Sequence, residues 1–297
     1  MRRIVWGMSY LLTAVLALIL AVPTISVAPG VPTISLGAAV AAVQEARNVY
    51  LGPDGEPLPF NNDEEIVDFL STAEILERTR IDEGINRTWK LLMEKDGVRA
   101  HAIFREVDIT EKNKRVGRIF FLFFRDSYIF DCAAYEMAVL LGMDNVPPAV
   151  LSTVNRTPGS VQLWVEGAHK IDTIDFDPPI ALDWVHQMAT MYLFDALIYN
   201  VDRHKGNLMI DDDYKLWLID HGRAFQRKSD PYTIDQVQTV DRRIWERLRE
   251  LDEATITEAM GDYLDSAEVA ALMARHRKLV DHINKRIEEL GEERVLF

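Results

Sequence analysis

Three polar side chains near the middle of the chain have the types and the spacing that phosphoryl transfer requires. Asp202 opens the segment Asp-Arg-His-Lys-Gly-Asn, which ends at Asn207, and Asp220 follows thirteen residues after Asn207, immediately before His221 and Gly222. An aspartate can accept the proton of an acceptor hydroxyl, while an asparagine and a second aspartate can hold a metal ion on nucleotide phosphates. We therefore predict Asp202 as the catalytic residue and Asn207 with Asp220 as metal ligands.

The segments around these residues predict a scaffold that would hold them. A long, mostly apolar helix over residues 182–199 leads directly into the loop of Asp202. Two short apolar runs, 208–210 and 216–219, predict a β-hairpin whose base brings Asn207 and Asp220 together. Oxygen ligands of this kind suit Mg²⁺ or Mn²⁺. The three aspartates at the hairpin tip, 211–213, are predicted as a solvated turn.

The chain before residue 166 is predicted to be rich in strands. Apolar runs predict strands over 73–81, 89–93, 98–107, 150–154 and 161–165, and the turn Lys95-Asp96-Gly97 favours an antiparallel hairpin between the second and third. Asn62 is a candidate cap for a short helix, and helical spacing predicts a longer helix over 128–141 that stops at Gly142. Beyond Gly167 the pattern is helical, so we predict an α+β fold.

The composition excludes several classes of protein. A chain of 297 residues, 48% of them hydrophobic, is long enough for one two-lobed domain. Its formal net charge of -14 argues against a nucleic-acid partner. The single cysteine, Cys132, excludes an intrachain disulfide and a cysteine-type zinc site. No histidine pair has zinc-ligand spacing, and we interpret His204 as a structural hydrogen-bonding residue of its loop.

The N-terminal region has the layout of an export segment. Arg2 and Arg3 precede an uncharged, largely apolar run over residues 4–22, and small residues follow. Residues 1–41 are therefore predicted to be a signal peptide or, if they are retained, a membrane anchor formed by residues 4–22. Either alternative predicts a periplasmic or extracellular protein, or one associated with the membrane. The Gly- and Pro-rich stretch 42–61 is predicted to be a linker.

The pattern Asp-Arg-His-x-x-Asn, followed by Asp-x-Gly, resembles the protein-kinase-like superfamily. The match is to the branch of phosphatidylinositol 3- and 4-kinases and related bacterial kinases, and the secreted Golgi kinases of the four-jointed type share the Asp-Arg-His part. The resemblance implies a bilobal fold: an antiparallel β-sheet N-lobe with one main helix over 62–165, and a mostly helical C-lobe over 166–297. It also implies that ATP and Mg²⁺ or Mn²⁺ bind between the lobes, and that a protein, glycan or lipid hydroxyl accepts the γ-phosphoryl group.

The resemblance extends to the nucleotide-binding residues with one departure. Glu136 would match the glutamate that pairs with the nucleotide lysine, and Val165 and Gly167 would lie in the hinge beside adenine. The strand expected to carry that lysine reads Ala-Ile-Phe-Arg, so Arg105 stands in its place, and Lys90 on the preceding strand is the alternative cation. Three interpretations remain open: an enzyme that uses Arg105, an enzyme that uses Lys90, and an exported pseudokinase that binds nucleotide or a partner protein.

Overall fold

The computed structural model of the chain describes residues 48–81, 88–173 and 182–297. All of these residues belong to one compact unit, Asn48–Phe297. The predicted export segment, residues 1–41, lies outside the described residues. Within the described ranges, none of the helices combines the length and the apolar character needed to span a membrane.

The described residues form ten strands and seven α-helices. The strands are β1 (Glu74–Ile81), β2 (Thr88–Lys95), β3 (Val98–Arg105), β4 (Asp108–Val116), β5 (Ile119–Ser127), β6 (Ala149–Val154), β7 (Thr157–Leu163), β8 (His169–Lys170), β9 (Leu208–Ile210) and β10 (Leu216–Leu218). The helices are α1 (Asp63–Thr72), α2 (Ile129–Leu141), α3 (Leu182–Ile198), α4 (Arg242–Glu250), α5 (Glu253–Met260), α6 (Ser266–Leu290) and α7 (Glu292–Val295).

An antiparallel five-stranded sheet forms the first part of the unit, in the order β1-β2-β3-β7-β6. Asp96 and Gly97 both have positive φ, 52° and 80°, which is the backbone geometry of a tight hairpin between β2 and β3. Helix α1 is capped by the side chain of Asn62, and α2 ends at Gly142 with φ 67°. The predicted α+β fold is confirmed: an antiparallel sheet with one main helix precedes a mostly helical part.

The helical part has its own large apolar core, built from α2 to α6. Arg275 on α6 is fully buried there, and its guanidinium donates to three backbone carbonyls, those of Leu197, Gln226 and Lys228. Leu197 lies at the end of α3, and the other two carbonyls follow Asp220 in the chain. Because these hydrogen bonds use a buried charged donor, they tie α6 firmly to both segments.

The hairpin of β4 and β5 was not predicted from the sequence. It lies between β3 and α2 and forms a separate two-stranded sheet. Phe121 and Phe124 on β5 are buried against Tyr199, which follows α3. Strand β4 reads Asp-Ile-Thr-Glu-Lys-Asn-Lys-Arg-Val, so it lacks the alternation of apolar and polar residues that marks a half-buried strand.

The predicted linker over 42–61 needs a correction. Its described part, from Asn48 onward, packs on the folded unit: Tyr50 is buried, with its ring 5.6 Å from that of Trp217. Leu51 pairs with Pro57 in an isolated bridge, and the side chain of Lys215 donates to that of Asn48. The segment is part of the fold because burying the Tyr50 ring on Trp217 contributes apolar contact that a free linker would lack.

Candidate active site

A cavity of about 540 Å³ lies between the five-stranded sheet and the hairpin of β9 and β10. Its size is in the range of small-molecule sites. Part of its lining is apolar, from Ile81, Ile103, Leu163, Trp164, Val165, Met209 and Ile219. The other part is polar or charged and includes Lys90, Arg105, Asp202, Asn207, Asp220 and Arg223. The three residues singled out by spacing, Asp202, Asn207 and Asp220, thus line one cavity.

The backbone around Asp202 is fixed by buried amide and carboxylate groups. Tyr199 has φ 56°, so the chain leaves α3 through a left-handed residue. The side chain of the fully buried Asn200 accepts from the backbone N–H of Asp202 at 3.1 Å and donates to Asp195 at 3.0 Å. Asn200 and Asp195 therefore anchor the start of the loop to the end of α3.

Arg203 joins the loop of Asp202 to the end of β10. Its guanidinium forms two hydrogen bonds with Asp195, at 2.8 and 2.9 Å, and donates to the carbonyls of Asn207 at 2.7 Å and Ile219 at 3.0 Å. Asn207 is one predicted metal ligand, and Ile219 directly precedes Asp220, the other predicted ligand. Arg203 therefore positions Asn207 and Asp220, a role that spacing alone did not reveal.

Asn207 and Asp220 flank the paired strands of the hairpin, where Leu208 is opposite Leu218. The amide nitrogen of Asn207 donates to the carbonyl of Asp202 at 2.9 Å, and no donor among the described residues bonds its side-chain oxygen. In these ranges no cluster of three or more His, Cys, Asp or Glu forms a metal site. An amide oxygen and a carboxylate fit Mg²⁺ or Mn²⁺, which take their remaining ligands from phosphates and water.

Arg105 occupies the centre of the charged part of the cavity. It donates to Asp220, and its Nε lies 3.5 Å from Oδ2 of Asp131 on α2. Burial acts to raise the pKa of Asp220, but the charge and hydrogen bond of Arg105 outweigh it and hold that pKa below its usual range. For Asp131, burial prevails over the attraction of Arg105 and raises the pKa. Asp131 also accepts from the backbone N–H of His221 at 2.9 Å.

The structure corrects the prediction for Glu136, because Asp131 and not Glu136 is the α2 carboxylate beside Arg105. Five residues separate the two, which is about 140° around a helix axis. Glu136 is half-buried and does not line the cavity, and burial raises its pKa. Burial raises the pKa of Tyr263 to about 12, and the charge of Glu136 adds to that rise.

Lys90 and the predicted hinge residues lie in another part of the cavity. The Nζ of Lys90 is 4.3 Å from the ring centroid of Trp164 and 3.9 Å from Oε1 of Glu166. Val165 lines the cavity, whereas Gly167 does not and has φ 76°. Of the two candidate cations, only Arg105 contacts a predicted metal ligand.

Two further charged residues surround Asp202 that the sequence analysis did not single out. Arg223 bridges Asp202 and Asp126, at 3.0 and 2.8 Å. Burial raises the pKa of Asp202, and the charge of Arg223 offsets part of that rise. The position of Arg223 directly after Gly222 is a sequence signal that could have identified it, whereas Asp126 lies on the unpredicted strand β5.

Nδ1 of His204 accepts a hydrogen bond from the backbone N–H of Gly206 at 3.1 Å, which is the structural role predicted for His204.

Sequence comparisons match parts of the chain to known proteins. Residues 156–263 match the family described as Phosphatidylinositol 3- and 4-kinase. Protein Rv2133c of Mycobacterium tuberculosis is 23% identical over 190 residues, which cover 51% of this chain and 68% of that protein.

Solved structures resemble the chain over most of its length. Hydra Fam20, solved with a sugar, superposes with a TM-score of 0.61 at 15% identity, covering 80% of this chain and 93% of that one. The Golgi casein kinase superposes with a TM-score of 0.57 at 14% identity, covering 79% and 78%, and it has also been solved with Mn and ADP bound. The chain therefore has the bilobal protein-kinase-like fold that its motifs predicted.

Proposed function

We propose that the protein is a kinase that transfers the γ-phosphoryl group of ATP to a hydroxyl, in a reaction that depends on Mg²⁺ or Mn²⁺. The observation that carries the proposal is the convergence of Asp202, Asn207 and Asp220 on one cavity that also holds Arg105. A catalytic aspartate, two oxygen ligands for metal and a cation for phosphate are the groups that this chemistry requires. The acceptor class is a hydroxyl of a protein, a glycan or a lipid.

The cavity offers separate surroundings for the base and the phosphates of the nucleotide. The apolar lining from Ile103, Leu163 and Val165 suits an adenine ring, and Gly167 follows in the predicted hinge. Arg105 would contact phosphate oxygens, and its guanidinium keeps its charge at any physiological pH. In the structure this guanidinium is held by Asp131 and Asp220, so it is already oriented towards the metal ligands.

The polar residues of the C-terminal side of the cavity have distinct tasks in the proposed reaction. The carboxylate of Asp202 accepts the proton of the acceptor hydroxyl and orients that oxygen for attack. Asn207 and Asp220 hold the metal, which neutralises charge on the phosphates when it is bound. Arg223 offsets part of the rise that burial causes in the pKa of Asp202, because a guanidinium at 3.0 Å favours the carboxylate over the carboxylic acid.

The test is phosphate transfer by the purified full chain with radiolabelled ATP. We expect Asp220→Asn to abolish metal-dependent transfer to protein, glycan or lipid acceptors and the accompanying release of ADP, because the amide removes the only ionised ligand of the metal pair. Asp212→Asn, at the exposed tip of the same hairpin, is the matched control and keeps full turnover. Metal-dependent turnover that survives in Asp220→Asn contradicts the metal assignment.

A second candidate function is favoured by the departure at Arg105. An exported pseudokinase would bind nucleotide, or present a surface to a partner protein, without transferring phosphate. Thermal unfolding with ATP and Mg²⁺ separates the two: a raised Tm without ADP release supports the pseudokinase, whereas both together support the enzyme. Export itself is a proposal from residues 1–41, and the Golgi casein kinase offers a parallel for a kinase fold outside the cytosol.

A further inference from the structure

The tip of the β4–β5 hairpin, residues 112–124, differs from the rest of the chain in charge. It reads Lys-Asn-Lys-Arg-Val-Gly-Arg-Ile-Phe-Phe-Leu-Phe-Phe, with four basic residues and no acidic one. The whole chain carries a formal net charge of -14. A basic tip on an acidic protein indicates a partner of negative charge at this place.

The apolar residues of the tip divide into two groups. Phe121 and Phe124 are buried and fasten the hairpin to Tyr199. Phe120, Leu122 and Phe123 are exposed, at 46%, 61% and 41% of their surface. Phe120 and Leu122 are two positions apart on β5 and point to one face of the hairpin, whereas Phe123 points to the other, so this exposed apolar patch covers both faces of the tip. The guanidinium of Arg227 lies 5.9 Å from the ring centroid of Phe123, and Phe120 and Leu122 remain exposed after the hairpin has packed on its own protein.

The basic residues are interleaved with the exposed patch. Across the strand pair, Arg115 is opposite Phe120 and Lys112 is opposite Phe123, with Nζ of Lys112 5.8 Å from the ring centroid. Lys114 forms an ion pair with Glu111, whereas Arg115 and Arg118 form none with the described residues. Long basic side chains beside exposed phenylalanine and leucine are typical of a surface that enters the boundary between lipid headgroups and acyl chains.

We propose that the tip of the β4–β5 hairpin docks on an anionic lipid surface. Phe120, Leu122 and Phe123 enter the acyl boundary, while Lys112, Arg115 and Arg118 contact the lipid phosphates. The apolar insertion and the electrostatic attraction together supply the two contributions that stable attachment requires. The inference does not depend on the proposed kinase activity or on the N-terminal segment. A protein partner for the same patch is the competing occupant.

The direct test is an environment-sensitive fluorophore on the hairpin of the full-length chain. Leu122→Cys provides the attachment point, and the native Cys132 is fully buried and so does not compete for the label. Leu151→Cys, exposed at 42% on β6, is the matched control. We expect the label at residue 122 to shift its emission to the blue on phosphatidylcholine vesicles that contain phosphatidylglycerol, and the label at residue 151 to keep its emission unchanged.

A charge variant tests the electrostatic part of the proposal. Each basic residue near an anionic surface strengthens binding about fivefold, so Arg115→Gln with Arg118→Gln should weaken the vesicle affinity of the labelled chain roughly 25-fold. Arg277→Gln with Arg294→Gln, two exposed arginines on α6 and α7, is the matched control and should leave the affinity unchanged. The label reports the surroundings of the hairpin itself, whichever other segments of the chain meet the lipid.

Three outcomes overturn the proposal. One is an emission at residue 122 that stays constant with every protein-free vesicle, and another is an equal shift with and without phosphatidylglycerol. The third is a shift that requires membranes containing protein, which would assign the patch to a protein partner. Asp202→Asn in the labelled chain should retain the blue shift, so that failure of the kinase proposal and failure of the lipid proposal are distinguishable.

Discussion

The two walls of the cavity are built in different ways. On the C-terminal wall, Asp202, Asn207 and Asp220 lie within a stretch of nineteen residues and are held together by one hairpin and by Arg203. On the N-terminal wall, Arg105 comes from β3 and its carboxylate partner from α2, and they meet only because the helix packs on the sheet. Local spacing therefore determines the first wall, whereas tertiary packing determines the second.

This difference explains which residues the motif could identify. The helical rotation of α2 decides that Asp131 faces Arg105 and that Glu136, about 140° further around the helix, does not line the cavity. On the C-terminal wall a substitution changes a group that is proposed to contact the reacting atoms or the metal, whereas on the N-terminal wall Asp131 acts only through Arg105. Substitutions on the two walls should therefore have unequal effects.

The largest effect is expected at Asp202 on the C-terminal wall. Asp202→Asn removes the group that accepts the proton and should lower kcat about a thousandfold, with ATP binding retained. Single-turnover kinetics and nucleotide titration measure the two quantities separately. Equal losses of kcat and of ATP affinity would show that Asp202 serves binding and would contradict its catalytic role.

The next effect concerns the support of that wall. Arg203→Met leaves the buried carboxylate of Asp195 without its cation and should lower the free energy of unfolding by about 3 kcal/mol. Urea denaturation measures this change in the free energy of unfolding. Arg243→Met breaks the exposed pair with Asp241 and is the control, with an expected change of less than about 1 kcal/mol. Similar losses in both variants would show that Arg203 does not hold the loop.

A smaller effect tests the corrected assignment on the N-terminal wall. Asp131→Asn removes the negative charge that positions the guanidinium of Arg105. Loss of this one charged contact should raise KM for ATP about tenfold. Glu136→Gln, on the same helix, should leave KM unchanged because Glu136 does not line the cavity. The reverse result would restore Glu136 as the partner of the nucleotide cation.

The smallest effect is a displacement of the pH profile. The charge of Arg223 lowers the pKa of Asp202, so Arg223→Gln should raise that pKa further above its usual range. Asp202 must be ionised to act as a base, and the acid limb of kcat should therefore move to higher pH. Arg223→Lys keeps a positive charge and should keep the limb near its native position. A limb that moves to lower pH in Arg223→Gln contradicts the proposed role.

Sequence patterns predicted most of the fold and the C-terminal wall. The strands β1, β2, β3, β6 and β7 and the helices α1 to α3 have apolar periodicities that a single sequence displays. The β4–β5 hairpin was missed because charged residues dominate β4 and because two neighbouring phenylalanines of β5 point to different surroundings. Asp126 on β5 was missed with the hairpin. Asp131 was missed although its helix was predicted, because its partner Arg105 comes from a separate element, β3.

The buried guanidinium of Arg275 has a consequence for how the chain can be divided. The family match ends at residue 263, yet the guanidinium of Arg275 on α6 donates to three carbonyls inside the matched stretch, and Arg105 lies well before its start. A protein truncated to the matched residues would lose both guanidinium groups and leave their buried acceptors unpaired. The limits of the family match and the limits of the folded unit, Asn48–Phe297, are therefore different in this chain.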